Sequence, residues 1–438
     1  MKKYLANLIL VTIDSVTLIG IFYLTFYVRS SLYGISVPKF TPIALDDFFF
    51  IIFIIIALFI YEKIYTLRYD FWQELRKIFR AVALAYFIVL ALLALSKISL
   101  EYSRLFITIY FALVMLLLPV VKRYTKKILY MFPLFKNKVL IVGDKDQTEI
   151  LKKEFDKNWY LGMQYSREKY DIVIVASKGL SLKHIDEKIE KYLDNNSSVY
   201  VVPYVTNINF SNSNILEYSN IRLNTIQIEN KLLIKKNIWI KELFDYTVLI
   251  LTIPLFLILH IMISLSVIFD SKGSVFFKQE RLGKNGQIFL CYKYRTMYEG
   301  SEGLLKEYLK NNPDEVEYYS IYHKYKNDPR ITKVGKVLRS TSLDELAQII
   351  NVLRGDMSLV GPRPYMTSES FKLGKSKEFI LKVKPGITGL WQVSGRNNLS
   401  FKQRNELEVW YIKNWSLWAD FVILIKTVKV VLGKIGAK

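Results

Sequence analysis

Long apolar runs separated by short basic loops dominate the first third of the chain. Residues 5–28, 43–61, 79–96 and 104–121 are rich in Leu, Ile, Phe and Val, and each predicts a membrane-spanning helix. The first run is too long for a cleavable signal. Asp14 inside it is a functional candidate by depth, and a polar contact facing the bundle is the simpler reading. Lys2 and Lys3 precede this run, Lys63, Arg68, Arg76, Lys77 and Arg80 lie between the second and third, and Lys122, Arg123, Lys126 and Lys127 follow the fourth. The other two loops carry little beyond Arg29, Lys39, Lys97 and Arg104. The positive-inside rule therefore predicts a cytoplasmic N-terminus and a cytoplasmic location for everything after residue 122.

The pattern then changes. Within 138–230, Lys138–Gly143, Asp171–Ala176 and Ser198–Pro203 are short apolar runs that predict buried parallel strands with helices between them, a Rossmann-like α/β domain. Gly143 is not followed by the later glycines that admit a pyrophosphate, and Asp144 and Asp146 would repel one. A structural or dimer-forming role is the expectation. From Leu243 to Phe269 a further apolar run is long enough to span, yet Lys231, Lys235, Lys236 and Lys241 precede it and Lys272, Lys278, Arg281 and Lys284 follow it. Both ends ask to be cytoplasmic, and Pro254 near the middle removes a helix hydrogen bond, so a helix that enters and returns is predicted. Asp245 and His260 are its polar exceptions, His260 read as a packed or interfacial residue. Residues 299–326 predict an amphipathic surface helix. Between Trp410 and Leu432, aromatics and lysines fit an interfacial helix and core packing equally.

The stretch Arg339–Pro364 concentrates the candidate chemistry. Ser342 followed by Glu345 is a capping-box spacing, Leu343, Leu346, Ile349, Ile350 and Leu353 recur at helical intervals, and Gly355 is placed to end the helix. Asp344 and Glu345 thus fall in the first turn. They can serve as capping and dipole-matching groups, or, with Arg339, Arg354 and Arg363 around them, as a metal ligand or nucleophile among phosphate-binding groups. Local reasoning leaves both open.

Composition narrows the class. The chain has 438 residues, enough for two or three domains, with 52% hydrophobic residues, 30 Tyr, 27 Phe and a net charge of +22. Such a charge suits anionic partners, lipid headgroups or phosphorylated substrates; the dispersed basic residues and lack of a recognised module argue against nucleic acid. Cys291 is the single cysteine, which excludes an internal disulfide and a cysteine metal cluster.

Phe276–Gly283, Tyr292-Lys-Tyr-Arg-Thr-Met297, Asn327-Asp-Pro-Arg-Ile-Thr332, Arg339–Pro364, Pro385–Asn397 and Tyr411–Ser416 together resemble the catalytic core of bacterial polyprenyl-phosphate phosphoglycosyl transferases. Ala347 stands where that family usually has proline, and Ser274 where Gly-Pro would precede the strand; neither change removes a charged group. The resemblance implies a four-helix transmembrane domain (1–127), a Rossmann-like domain (138–230) and a small α/β monotopic catalytic domain (240–438) with a re-entrant membrane hairpin at 243–269 broken at Pro254. It implies transfer of a sugar 1-phosphate from a UDP-sugar to undecaprenyl phosphate at the inner face of the bacterial cytoplasmic membrane, releasing UMP, with Mg²⁺ as cofactor. Asp344 is then nucleophile and metal ligand, with Glu345 positioning or deprotonating the lipid phosphate. Arg339, Arg363, Arg396, Lys293, Arg295 and Arg281 bind phosphates, with Glu280 as the structural partner of Arg281, and Gly386, Thr388, Gly389 and Gln392 form a nucleotide-sugar loop. Membrane lipids are partners, and a homodimer through the α/β module is the oligomer that the layout allows. The competing readings are a non-enzymatic membrane scaffold and a single-step ternary transfer. The sugar and the glycan pathway are not legible.

Overall fold

The computed structural model describes residues 2–32, 45–95, 103–193, 199–203, 214–218, 223–227, 231–316, 325, 327–395 and 399–433. They divide into two compact units, 1–205 and 206–438.

The first unit opens with helices α1 (Lys2–Ser31), α2 (Leu45–Tyr61), α3 (Phe71–Leu95) and α4 (Arg104–Leu129). Phe22, Phe48, Phe59, Phe106 and Tyr110 interlock in their shared core. The helices overrun the apolar windows: α3 begins at Phe71 and not at 79, and α4 continues past 121 to Leu129. Charge pairing is the reason. Asp14, Glu74, Lys122 and Lys126 are all buried; Lys122 pairs with Asp14, Lys126 with Glu74, and the Tyr65 hydroxyl donates to Asp14 at 2.9 Å. Helix continues through these residues because they neutralise one another inside the bundle, which a hydropathy window cannot register. Asp14 is thus a packing contact. At 17 residues α2 sits at the short limit for a span, whereas α1, α3, α4 and the later helix Lys235–Asp270 are long and apolar enough to cross.

Strand β1 (Asn137–Gly143), helix α5 (Lys145–Lys157), strands β2 (Met163–Tyr165) and β3 (Ile172–Ala176), helix α6 (Leu182–Leu193) and strand β4 (Val199–Val202) complete this unit. The strands form a parallel sheet in the order β2-β1-β3-β4, and the three predicted runs coincide with β1, β3 and β4. Gly143 has a local cause: its φ is +120°, and a Cβ there would lie 2.1 Å from the Ala176 carbonyl oxygen. Asp144 caps α5, accepting from the Gln147 amide at 2.9 Å.

The second unit contains the antiparallel pair β5 (Asn214–Tyr218) and β6 (Leu223–Gln227), then helix α7 (Lys235–Asp270). Pro254 lies inside α7, which remains a single 36-residue helix, roughly 54 Å long at 1.5 Å per residue. Leu243, Ile250, Leu251, Leu255, Ile258 and Ile261 are exposed along it. The hairpin β7 (Phe276–Leu282) and β8 (Ile288–Tyr294) follows, then α8 (Glu302–Asn311), which is shorter than the helix predicted over 299–326; residues 317–324 and 326 of that prediction lie outside the described residues. The remainder is α9 (Lys333–Thr341), α10 (Ile349–Leu353), β9 (Ser358–Val360), α11 (Lys377–Ile380), β10 (Gly386–Thr388), α12 (Leu390–Ser394), α13 (Phe401–Lys413) and α14 (Leu417–Leu432).

Tyr411 and Trp415 belong to the core of this unit with Ile349, Val352, Leu359 and Val360. Asp420 accepts from the Tyr411 hydroxyl at 2.7 Å, the Trp415 indole at 2.9 Å and Lys241 at 2.8 Å. Asp245 accepts from Ser358 at 2.6 Å. These buried polar bonds tie the first turns of α7 to β9 and α14. His260 stacks against Phe256 and Phe276, with Nδ1 2.8 Å from the Tyr294 hydroxyl, as a packed residue.

Candidate active site

Ser342 and Glu345 do not form a capping box. Helix α9 opens on Thr332, whose hydroxyl accepts from the Gly335 amide at 2.9 Å, and ends at Ser342 in a left-handed conformation (φ 59°, ψ 19°). A residue that closes one helix this way cannot also take the extended conformation of an N-cap, and its hydroxyl caps nothing. Leu343–Gln348 follow as 3-10 turns before α10 starts, with buried Ala347 continuing them in place of a proline. Gly355, at φ +82°, ends the segment as predicted, but Leu353 is 50% exposed and lies off the buried face.

Asp344 and Glu345 therefore sit on a tight turn between two helices. Glu345 Oε1 accepts from Lys293 Nζ on β8 at 2.7 Å. Asn351 holds the two elements in register: its Oδ1 accepts from the Tyr292 amide at 2.9 Å and its Nδ2 donates to the Leu290 carbonyl at 2.7 Å. Arg339, in the last turn of α9, donates from Nε to Thr296 Oγ1 at 2.9 Å. Burial pushes the Asp344 carboxyl up to about 6, against the pull of Lys293 and Arg339 and with the push of Glu345. Among the described residues no side chain hydrogen-bonds or ion-pairs with that carboxylate. Asp344, Glu345, Lys293 and Arg339 thus form one electrostatic cluster.

The other predicted residues divide. Arg281 is buried, donating to the Pro364 carbonyl at 3.1 Å and Gln279 Oε1 at 2.6 Å, with Glu369 at 3.9 Å. Its partner is not Glu280, because adjacent residues on β7 face opposite sides of the strand, whereas Gln279 shares its side. Arg295 donates to the carbonyls of Lys272 and Ser271, each at 2.6 Å, and of Val267 at 3.3 Å, so its guanidinium is committed to the C-terminal end of α7. Arg354 reaches the Tyr292 hydroxyl at 3.0 Å. Arg330 forms a two-pronged pair with Asp328 at 2.9 and 2.7 Å. Arg396 lies outside the described residues.

The glycines of the predicted nucleotide loop answer to a backbone crossing. Gly361 donates to the Thr388 carbonyl at 2.9 Å and Gly386 to the Pro362 carbonyl at 2.8 Å. A Cβ on Gly386 would lie 2.0 Å from the Gly361 nitrogen, and one on Gly389 would lie 2.5 Å from the Gly361 oxygen. The Thr388 hydroxyl turns to Thr427 at 2.7 Å, and Gln392 Nε2 donates to the Ile387 carbonyl at 3.4 Å. This crossing fixes the segment that carries Arg363. Glu408 fixes it from the other side, accepting from the Arg363 amide at 2.7 Å and the Tyr365 hydroxyl at 2.5 Å. Burial pushes Glu408 up to about 7 against those two bonds.

Sequence reasoning missed Asn351, Glu408 and Arg404. A lone Asn within Ile349-Ile350-Asn351-Val352-Leu353 is the readable signal for the first; Arg404 and Glu408, one helical turn apart, carry no comparable signal.

As a Mg²⁺ site the cluster is open. No group of three His, Cys, Asp or Glu side chains is gathered among the described residues. Mg²⁺ is commonly held by one or two carboxylates completed by substrate phosphates and water, and the partnerless Asp344 carboxylate beside Glu345 fits that pattern.

Comparison with known proteins identifies the family. Residues 236–434 match the family model described as bacterial sugar transferase. The undecaprenyl-phosphate galactose phosphotransferase of Salmonella typhimurium is 34% identical over 406 residues, covering 85% of this chain and 84% of that protein. The UDP-galactose-lipid carrier transferase of Erwinia amylovora is 32% identical over 407 residues, with 85% and 84% covered. The exopolysaccharide production protein ExoY of Rhizobium meliloti is 45% identical over 191 residues, 44% of this chain but 84% of its own length. Likeness of this extent, falling on a chain whose acidic turn is ringed by cations, makes it a transferase and a member of the bacterial sugar transferase family.

Proposed function

We propose that the protein transfers a sugar 1-phosphate from a UDP-sugar to undecaprenyl phosphate, releasing UMP, through an aspartyl phosphosugar intermediate. The observation that carries this is the Asp344 carboxylate: half-buried, without a protein partner among the described residues, and close in charge to Lys293 and Arg339. An anionic nucleophile approaching an anionic phosphate needs neutralisation more than acid–base power. With a carboxyl that titrates near 6, Asp344 is largely ionised at neutral pH yet more basic than an ordinary aspartate.

In the first step an Asp344 oxygen forms a bond to the sugar-bearing phosphorus, and the bond from that phosphorus to the bridging oxygen breaks, so UMP leaves with the electron pair. In the second, an oxygen of the lipid phosphate attacks the same phosphorus and the acyl-phosphate bond breaks, regenerating the Asp344 carboxylate. Lys293 holds Glu345 beside the reacting group, where Glu345 positions the lipid phosphate. Arg339, Arg281 and Arg363 neutralise the phosphates. Mg²⁺, held by Asp344 with Glu345 nearby, would supply further neutralisation of donor phosphate charge.

The lysines that flank α7 support a re-entrant course bending at Pro254, with the active site at the cytoplasmic face of the inner membrane; the parallel sheet of the first unit would then be a Rossmann-like scaffold without a nucleotide, available for dimer contacts. The deciding experiment incubates the detergent-solubilised protein with UDP-sugar labelled in the sugar, without lipid. Label retained on the protein, with UMP released and both lost in Asp344→Asn, is the expected result. UMP release that requires the lipid, with no label retained, overturns the two-step route in favour of single-step transfer.

A further inference from the structure

Arg404, on α13, lies outside every role assigned above. Its Cζ is 5.1 Å from the centre of the Trp391 ring, and Arg363 Cζ is 5.9 Å from the same ring. Arg404 Nε donates to the Leu399 carbonyl at 3.0 Å. Among the described residues, the remaining N–H groups of Arg404 and the guanidinium of Arg363 have no hydrogen-bond or ion-pair partner. Trp391 is only 7% exposed, and its indole N–H is likewise unpartnered. Arg281, also 7% exposed, has a free buried Nε and feels the charge of Arg363.

Three guanidiniums gathered this closely repel one another: burial, then Arg363, lowers the pKa of Arg404. The nearby anion, Glu408, is already engaged by the Arg363 amide and the Tyr365 hydroxyl. Unpaired planar donors on an aromatic ring are suited to an anion that offers several oxygens at once.

We propose that Arg404 and Arg363, seated on Trp391, form an anion subsite that grips the diphosphate of the nucleotide donor and retains the leaving nucleotide, in addition to the groups gathered at Asp344 and Glu345. The assignment rests on the donor reading above. A diphosphate fits better than the lipid monophosphate because its oxygens on two phosphorus atoms can engage two guanidiniums held against one ring.

The test uses full-length protein in micelles carrying Asp344→Asn, so that binding is read without turnover, and compares Arg404, Arg404→Gln and Arg404→Lys. Probes are UDP, UMP and undecaprenyl phosphate, each by isothermal titration, with thermal unfolding as the check on folding. Arg404→Gln is expected to weaken UDP at least tenfold, UMP less, and the lipid phosphate not at all, with Arg404→Lys recovering part of the loss. In the otherwise unmodified enzyme the same change should raise KM for the UDP-sugar with little effect on KM for the lipid. Unchanged UDP affinity in a folded variant overturns the proposal, as does a loss that falls on the lipid. Should Arg404→Gln fail to fold, Arg404→Lys decides instead, since it keeps the charge and removes the planar fork: UDP weakened severalfold supports the subsite, and unchanged UDP overturns it. If the Arg404 parent binds no UDP, the donor reading fails and takes the subsite with it; if that parent binds UDP and the variants match it, only the subsite fails.

Discussion

Replacing Asp344 by Asn tests the site through folding, independently of turnover. The carboxyl rises from an ordinary 3.8 to about 6, chiefly through burial, which at ~1.4 kcal/mol per pH unit amounts to about 3 kcal/mol of bias against the ionised form in the folded state. The folded protein therefore holds this proton more tightly than the unfolded chain does. Its contribution is neutral below about pH 4 and becomes unfavourable as pH climbs toward 6, reaching its full size above that. An amide of the same shape never ionises. Asp344→Asn should thus be about 1 kcal/mol more stable than the parent at pH 4.5 and about 3 kcal/mol more stable at pH 7.5. Denaturant unfolding in micelles at both pH values, with EDTA present, measures the difference. A gain of equal size at both pH values, or a loss at pH 7.5, would refute the claim that a desolvated, partnerless carboxylate sits at this position.

Mg²⁺ at a hundredfold over its dissociation constant should stabilise the parent by about 2.7 kcal/mol and leave Asp344→Asn unmoved; thermal unfolding with and without EDTA reads this, and equal stabilisation of both removes Asp344 as the ligand. Lys293→Met should shift the acid limb of the pH–rate profile upward from about 6, since Lys293 holds Asp344 down, and lower kcat by about a hundredfold; an unshifted limb would separate Lys293 from Asp344. Gly386→Ala must open a backbone contact of 2.0 Å and is expected to cost about 3 kcal/mol or more in denaturant unfolding, so a neutral result would contradict the crossing. Lys241→Met strips Asp420 of a 2.8 Å partner in a buried setting, with an expected loss of about 3–5 kcal/mol, measured the same way.

Most apolar helices and the parallel strands are legible because burial writes a period into the chain: Ile172–Ala176 is apolar throughout and buried throughout. Pairwise geometry is less so. Glu280 and Arg281 are neighbours in sequence and strangers in space, since a strand alternates its faces. Ser342 and Glu345 carry the spacing of a cap, yet α9 arrives at Ser342 in a conformation that forbids one. Arg295 resembles any other basic residue near the motif; only the fold reveals that it closes α7. Glycines suggest ligand contact when, at Gly143 and Gly386, the partner is another segment of backbone. Asp344 itself is recognisable from its setting, but its lack of a partner is visible only in three dimensions.

The quartet Asp14, Glu74, Lys122 and Lys126 has a consequence for biogenesis. Separately, α1 brings an acid, α3 an acid and α4 two bases, each unfavourable in hydrocarbon; together they cancel. Asp14 leaves the ribosome 108 residues ahead of Lys122, so α1 must wait at the translocation machinery, or in a hydrated corner of the bilayer, until α4 is made. A truncation that ends before residue 122 strands both acids, and such fragments should be retained by the insertion apparatus and degraded instead of accumulating in the membrane.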